Sequence, residues 1–205
     1  GADVLCLCDT NGGTLPDELY MVVGKVREAF PQVRVGIHCH NDSGCAVASS
    51  LLAVRAGATH VQGTFTGIGE RCGNADLSAI LPNLRLKMGL DCKGDLPNLR
   101  HTAARISELC NMTLFSGKPY VGVSAFAHKG GMHIDGVSKV SRSFEHVPPE
   151  AVGNERRFLM SEVSGRTTVL AKLTKVAPEL HKSSPEVAQI VARLSGRTPP
   201  ERGTT

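Results

Sequence analysis

Residues 4–88 repeat one local pattern three times, a short apolar run followed by a segment with helical spacing. The runs are Val4–Cys8, Val33–His40 and His60–Phe65, and polar or glycine-rich residues follow each of them. Short units of this kind build parallel sheets with helices outside, which predicts an α/β fold. Three units fit a barrel or a doubly wound sheet, and in both the active site lies at the C-terminal ends of the strands.

The rhythm changes after the third unit, where the chain becomes richer in Gly, Pro and His and shows no further βα repeat. We predict βα units over residues 1–112, a mostly helical linker subdomain over 113–195 and a disordered tail over 196–205. Within the linker, Ser161–Val176 and Pro185–Leu194 have helical spacing.

The composition excludes several classes of protein. Hydrophobic residues make up 41% of the 205, which is typical of a globular chain. The net charge of +4, the absence of Trp and the presence of only two Tyr argue against nucleic-acid binding, although a mildly basic chain suits anionic small molecules. Seven cysteines without CxxC spacing indicate reduced thiols in the cytoplasm. No run reaches the ~20 apolar residues of a membrane span.

The most specific local signal is His38-Cys39-His40, at the end of the second run. Residues i and i+2 of a strand point to the same side, about 6.5–7 Å apart, so two imidazoles at this spacing can bind one metal ion. The alternative is two polar residues on the solvent side of an edge strand.

Two further polar segments leave alternatives open. In the glycine-rich segment before the third helix, Glu70 and Arg71 could form a local ion pair, and Asn74 could cap the helix. His133 follows a Gly-Gly pair, where it is either a proton-transfer group or a structural residue.

The residues that follow the first strand are equally ambiguous. Asp9 and Thr10 could bind a substrate carboxylate or cap the loop. Thr14 is expected to be the N-cap of the first helix, because Pro16 and Asp17 follow at the usual positions.

These segments together resemble a known family. The stretches LCDTNGGTLP, GIHCHNDSGCAVASSLLAVRAGATHVQGTFTGIGERCGNADL and YVGVSAFAHKGGMHIDGV are similar to the isopropylmalate, homocitrate and citramalate synthases, over roughly residues 1–170. The DTNGG loop is most like the citramalate synthase type. The resemblance implies the last three βα units of a TIM barrel, with the three runs as strands six to eight.

The resemblance also assigns roles to particular residues. It implies that His38, His40 and Asn74 bind a divalent metal ion (Zn, Mn or Mg), that Thr10, with Asp9 beside it, contacts the oxo acid, and that His133 is catalytic and reaches the partner subunit's site in a homodimer. Glu70 and Arg71 are further catalytic candidates.

The implied reaction is a Claisen-type condensation of acetyl-CoA with pyruvate and water to give (R)-citramalate and CoA, for isoleucine synthesis. The family's Arg-Asp pair, carried by its first strand, is not in this sequence, so we expect a fragment that is inactive alone. Alternatives are 2-isopropylmalate synthase of leucine synthesis, an inactive metal- or CoA-binding remnant, and a purely structural scaffold.

Overall fold

The computed structural model describes residues 1–159, 169–170, 173, 177–181 and 183–194. The chain divides into two compact units, Gly1–Gly122 and the residues from Val123 onward. Among the described residues, no helix has the length and apolar character that crossing a bilayer requires.

The first unit contains a three-stranded parallel sheet. Its strands are β1 (Val4–Asp9), β2 (Arg34–Cys39) and β3 (His60–Gln62), in the order β1-β2-β3. Because all three run the same way, their C-terminal ends share one edge, as the βα repeat predicts. The third strand is shorter than expected: the predicted strand to Phe65 ends at Gln62, and a 3₁₀ turn covers Phe65–Gly67.

Helices connect and follow these strands. They are α1 (Pro16–Ala29), α2 (Ala46–Arg55), α3 (Leu77–Pro82) and α4 (Leu99–Leu109). The expectation that Thr14 caps α1 is wrong. The N-cap position is Leu15, which makes no side-chain cap bond, and the Thr14 hydroxyl donates to the Asp9 carboxylate at 3.0 Å instead.

The alternation predicted for β2 is present and decides where the core lies. Val35, Ile37 and Cys39 are at most 1% exposed and pack with Leu19 and Val23 of α1. Each fully buried valine or isoleucine contributes about 1.5–3 kcal/mol relative to an exposed one. Burial also raises the pKa of the Cys39 thiol to about 11, so this thiol stays neutral. The intervening side chains, including His38, lie on the other face of the strand.

The second unit contains two short strands and two described α-helices. The strands β4 (Ala127–His128) and β5 (Arg157–Phe158) pair in parallel, and the helices are α5 (Gly131–Lys139) and α6 (Pro185–Leu194). Helix α6 has the predicted bounds. Most of the predicted helix Ser161–Val176, and the tail from residue 196, lie outside the described residues.

An ion-pair network in this second unit has a buried carboxylate at its centre. The Glu145 carboxylate accepts hydrogen bonds from the Arg156 guanidinium, at 2.6 Å from Nε, and from His128 Nε2 at 3.0 Å. Its side chain is only 3% exposed. Burial raises the pKa of Glu145, but the bonds from Arg156 and His128 outweigh burial and hold it below its ordinary value.

Candidate metal centre

The loops that follow the three strands are joined by backbone hydrogen bonds. The amide of His40 donates to the carbonyl of Asp9 at 3.2 Å, and the amide of Asn41 donates to the carbonyl of Gly73 at 2.9 Å. His40 and Asn74 also form an isolated antiparallel bridge. Residues from the three loops are therefore held next to one another by main-chain contacts.

The rings of His38 and His40 lie side by side at this edge. Their centroids are 5.3 Å apart and their planes meet at 62°. The alternative of two residues on a solvent-exposed edge strand is wrong, because β2 is the central strand and neither histidine is classed as exposed. Among the described residues, the Nδ1 atom of each ring is buried and has no hydrogen-bond partner.

Asn74 adds a third buried atom in the same condition. Its Nδ2 donates to the Ile68 carbonyl at 3.2 Å, which leaves its Oδ1 buried and without a partner among the described residues. The hypothesis that Asn74 caps the third helix is wrong: Asp76 is the N-cap of α3, and its carboxylate accepts from the Ser78 amide at 2.8 Å.

These three atoms fit a divalent metal ion. A buried polar atom without a partner costs about 1–3 kcal/mol, and native proteins contain few of them. Two imidazole nitrogens and an amide oxygen are all metal donors. The described residues contain no group of three or more His, Cys, Asp or Glu that would hold a metal. Here the third donor is an amide.

A cleft of about 840 Å³ opens beside β1. The Thr14 bond fixes the Asp9 carboxylate at its wall. The cleft is lined by Cys8, Asp9, Thr10, Asn11, Thr14, Asp42 and Arg71. The two substrate-binding candidates, Asp9 and Thr10, therefore line the same cleft.

Arg71 is bonded differently from the sequence-based expectation. The alternative of a local ion pair with Glu70 is wrong, because the guanidinium pairs with Asp42, Nε to Oδ1 at 2.8 Å and Nη2 to Oδ2 at 3.0 Å. The Nη2 atom also donates to the Thr10 carbonyl at 2.8 Å. The hydrogen bond from Arg71 lowers the pKa of Asp42. Sequence reasoning did not select Asp42, although it lies two residues beyond His40 in the quoted HCHND segment.

His133 lies in the second unit, near the start of α5. Its side chain is exposed, and its ring centroid is 4.7 Å from that of Phe144. Glu70 is exposed as well. The catalytic roles of His133, Glu70 and Arg71 remain predictions.

The chain is similar to known proteins along most of its length. It is 49% identical over 196 residues to an (R)-citramalate synthase of Aquifex aeolicus, covering 95% of this chain and 37% of that protein. For an (R)-citramalate synthase of Sulfolobus acidocaldarius the values are 48%, 95% and 38%. A homocitrate synthase of Methanopyrus kandleri is 36% identical, over 87% of this chain and 45% of that protein. The chain thus spans little more than a third of the citramalate synthases it matches.

A solved structure and two family models agree with these relatives. An HMG-CoA lyase of Bacillus subtilis matches with a TM-score of 0.50 and 27% identity, covering 56% of this chain and 40% of that one. The model described as homocitrate synthase post-HMGL domain-like matches residues 120–198. The HMGL-like model matches residues 1–106. The resemblance drawn from the motifs is thereby confirmed, and the chain belongs to the HMGL-like family.

Proposed function

We propose that this chain is part of an acyl-CoA condensing enzyme that joins acetyl-CoA to pyruvate, with water, to give (R)-citramalate and CoA. The names of the relatives that are 43–49% identical to the chain support this reaction. The observation that carries it is the set of three unpaired buried donor atoms on His38, His40 and Asn74. Attack on a 2-oxo acid is faster when a Lewis acid polarises its ketone oxygen, and a metal ion bound by these donors would be that Lewis acid.

His38, His40 and Asn74 would hold the divalent ion. The imidazole donors favour Zn²⁺, whereas the amide oxygen also suits Mn²⁺ or Mg²⁺, which prefer oxygen ligands. When bound, the ion supplies Lewis-acid polarisation of the ketone oxygen. The chain holds the two histidines at the C-terminal end of β2 and Asn74 in the loop that follows β3.

Neighbouring residues would orient the substrate. The Thr10 hydroxyl donates a hydrogen bond to the pyruvate carboxylate, within the cleft that Asp9 also lines. The bond from Thr14 keeps the Asp9 carboxylate turned toward its own loop. Asp9 ends β1 and Thr10 follows it, next to β2, which contains His38 and ends just before His40.

Proton transfer is assigned to a histidine. The imidazole of His133, supplied by the partner subunit of a homodimer, takes a proton from the methyl group of acetyl-CoA. The resulting enolate carbon attacks the ketone carbon of pyruvate, and the ketone oxygen takes up a proton to become the hydroxyl group of the product. Water then cleaves the thioester, which releases CoA and leaves a new carboxylate. His133 is exposed near the start of α5, and this exposure leaves its imidazole accessible to the site of another subunit.

We also propose that β1, β2 and β3 are three of the eight strands of a TIM barrel. Their parallel order supports this architecture, and so does the position of every candidate ligand at or beyond the C-terminal end of a strand. The 37% share of the relatives' length is consistent with a barrel that other βα units complete.

The test is Mn²⁺ binding by the 205-residue chain, followed by electron paramagnetic resonance. Mn²⁺ is chosen because thiolates prefer softer metals and the chain has seven free cysteines. His38→Ala should weaken binding at least about tenfold, since even outer-shell changes cost 10–100-fold. The control is His60→Ala, because His60 begins β3 whereas the candidate ligands lie near the C-terminal ends of the strands. Equal affinity of His38→Ala and the unchanged chain would refute the site.

Substrate choice is tested separately, in the full-length protein, by CoA thiol release with either pyruvate or 2-oxoisovalerate. Faster release with pyruvate supports the citramalate reaction. Faster release with 2-oxoisovalerate would assign the protein to the isopropylmalate type. Metal binding without any thiol release would indicate a remnant that binds but does not react.

A further inference from the structure

One guanidinium connects the three loops at the strand ends. Arg71 lies in the loop after β3, its bidentate partner Asp42 lies in the loop after β2, and its third acceptor, the Thr10 carbonyl, lies in the loop after β1. These three residues are called the Arg71 network below. Asn74 lies three residues beyond Arg71 in the same loop.

The backbone has a positive φ at two residues next to or within this network, Arg71 and Gly12. Arg71 has φ +56°, a left-handed conformation that residues other than glycine seldom adopt. Gly12 has φ +69°, and a Cβ added there would lie 2.5 Å from Asp42 Oδ2. A side chain at position 12 would therefore displace the carboxylate that Arg71 binds.

Global stability does not explain why the network is there. The side chains of Arg71 and Asp42 are 41% and 25% exposed, and ion pairs this exposed contribute little to folding free energy. The bidentate geometry instead fixes direction as well as distance, because the planar guanidinium meets the carboxylate through two parallel bonds.

We propose that Arg71 is a positioning residue for the metal centre. By joining the loops, it holds the Asn74 amide beside the two imidazoles and holds Thr10 at the cleft. This role rests on the proposed function, and it requires no contact between Arg71 and substrate, since its Nε and Nη2 atoms are already bonded within the network.

The experiment measures Mn²⁺ affinity of the 205-residue chain and its variants. Arg71→Ala should bind about tenfold more weakly, the lower end of the range for residues that orient metal ligands. Arg71→Lys keeps the charge but lacks the planar fork, so its affinity should fall between the two. Combining Arg71→Ala with Asp42→Ala should cost no more than the first change alone, because both disrupt one network.

A second measurement needs no metal. In hydrogen exchange, Arg71→Ala should speed exchange of the amides in all three loops, residues 10–15, 41–45 and 66–73. The matched control is Arg105→Ala, which removes an exposed arginine from an i,i+3 pair with Glu108 in α4. It should leave both the exchange of the loops and Mn²⁺ affinity unchanged.

The outcomes separate the two proposals. If the unchanged chain binds Mn²⁺ and Arg71→Ala binds it equally well, with loop exchange unaltered, the positioning role is refuted and the metal centre stands. If the unchanged chain does not bind Mn²⁺, the metal centre fails and the positioning role with it. Should Arg71→Ala not fold, Arg71→Lys and Asp42→Ala decide, and normal affinity in both would overturn the proposal.

Discussion

Replacing Gly69 by Ala should displace the Asn74 amide without removing it. A Cβ at position 69 would lie 2.0 Å from Asn74 Nδ2 and 3.0 Å from its Cγ, whereas ordinary contacts begin near 3.4 Å. The amide must therefore move by about 1.4 Å. Metal–ligand distances tolerate only about 0.2 Å, so Oδ1 would leave the coordination position. We expect Mn²⁺ affinity to fall about tenfold or more.

The same substitution should leave the free energy of unfolding nearly unchanged. Gly69 has no positive φ, so its backbone conformation accepts alanine. Reduced freedom of the unfolded chain stabilises by about 0.4–1 kcal/mol. Loss of the hydrogen bond from Asn74 to the Ile68 carbonyl costs about 0.5–1.5 kcal/mol. The two effects oppose each other, and the net change should stay within about 1 kcal/mol.

The assay combines Mn²⁺ titration with urea unfolding of the same samples. The control is Gly24→Ala in α1, where an added Cβ meets nothing within 4 Å. It should add about 0.5–1 kcal/mol of stability and leave Mn²⁺ binding unchanged. If Gly69→Ala binds Mn²⁺ as tightly as the control, Asn74 is not a ligand and the three-donor centre is wrong.

Two further predictions concern stability. Asp76→Ala removes both the cap of α3 and the carboxylate that lies 3.1 Å from Lys118, so it should lower the free energy of unfolding in urea by about 2–3 kcal/mol. Asp76→Asn keeps an oxygen that can cap the helix and should cost about half as much. Equal losses in the two variants would show that the cap does not supply the larger part of this stabilisation. Glu145 has a lowered folded pKa, so its stabilising effect is present above the ordinary glutamate pKa, near 4.5, and is lost as pH falls through the folded value. Unfolding of the second unit between pH 5 and 2 should depend less on pH in Glu145→Gln, and identical slopes would contradict the assignment.

Periodicity alone predicted the succession of strands and helices along the chain and the burial pattern of β2. An alternating strand next to helical segments has one arrangement that buries Val35, Ile37 and Cys39, and this arrangement puts both histidines on the opposite face. The HxH spacing was informative for the same reason, because two residues at positions i and i+2 of a strand point to the same face. These inferences needed no knowledge of the remaining fold.

The partners of the loop residues were beyond such reasoning. Arg71 binds Asp42, which is 29 positions away in sequence, rather than its neighbour Glu70. Thr14 turns back to Asp9 instead of capping α1. Loop conformations depend on contacts between distant segments, and local propensity carries no information on those. The identity of the helix cap, Asp76 rather than Asn74, became clear only from hydrogen bonding.

The main-chain bonds from His40 to Asp9 and from Asn41 to Gly73 have a consequence for how this edge of the sheet can evolve. Every residue except proline can donate such a bond, so these bonds survive most exchanges of side chain. Most exchanges of side chain in the three loops can therefore leave the path of the main chain unchanged. Most side chains at this edge can therefore be exchanged one at a time without loss of the main-chain bonds that join the loops.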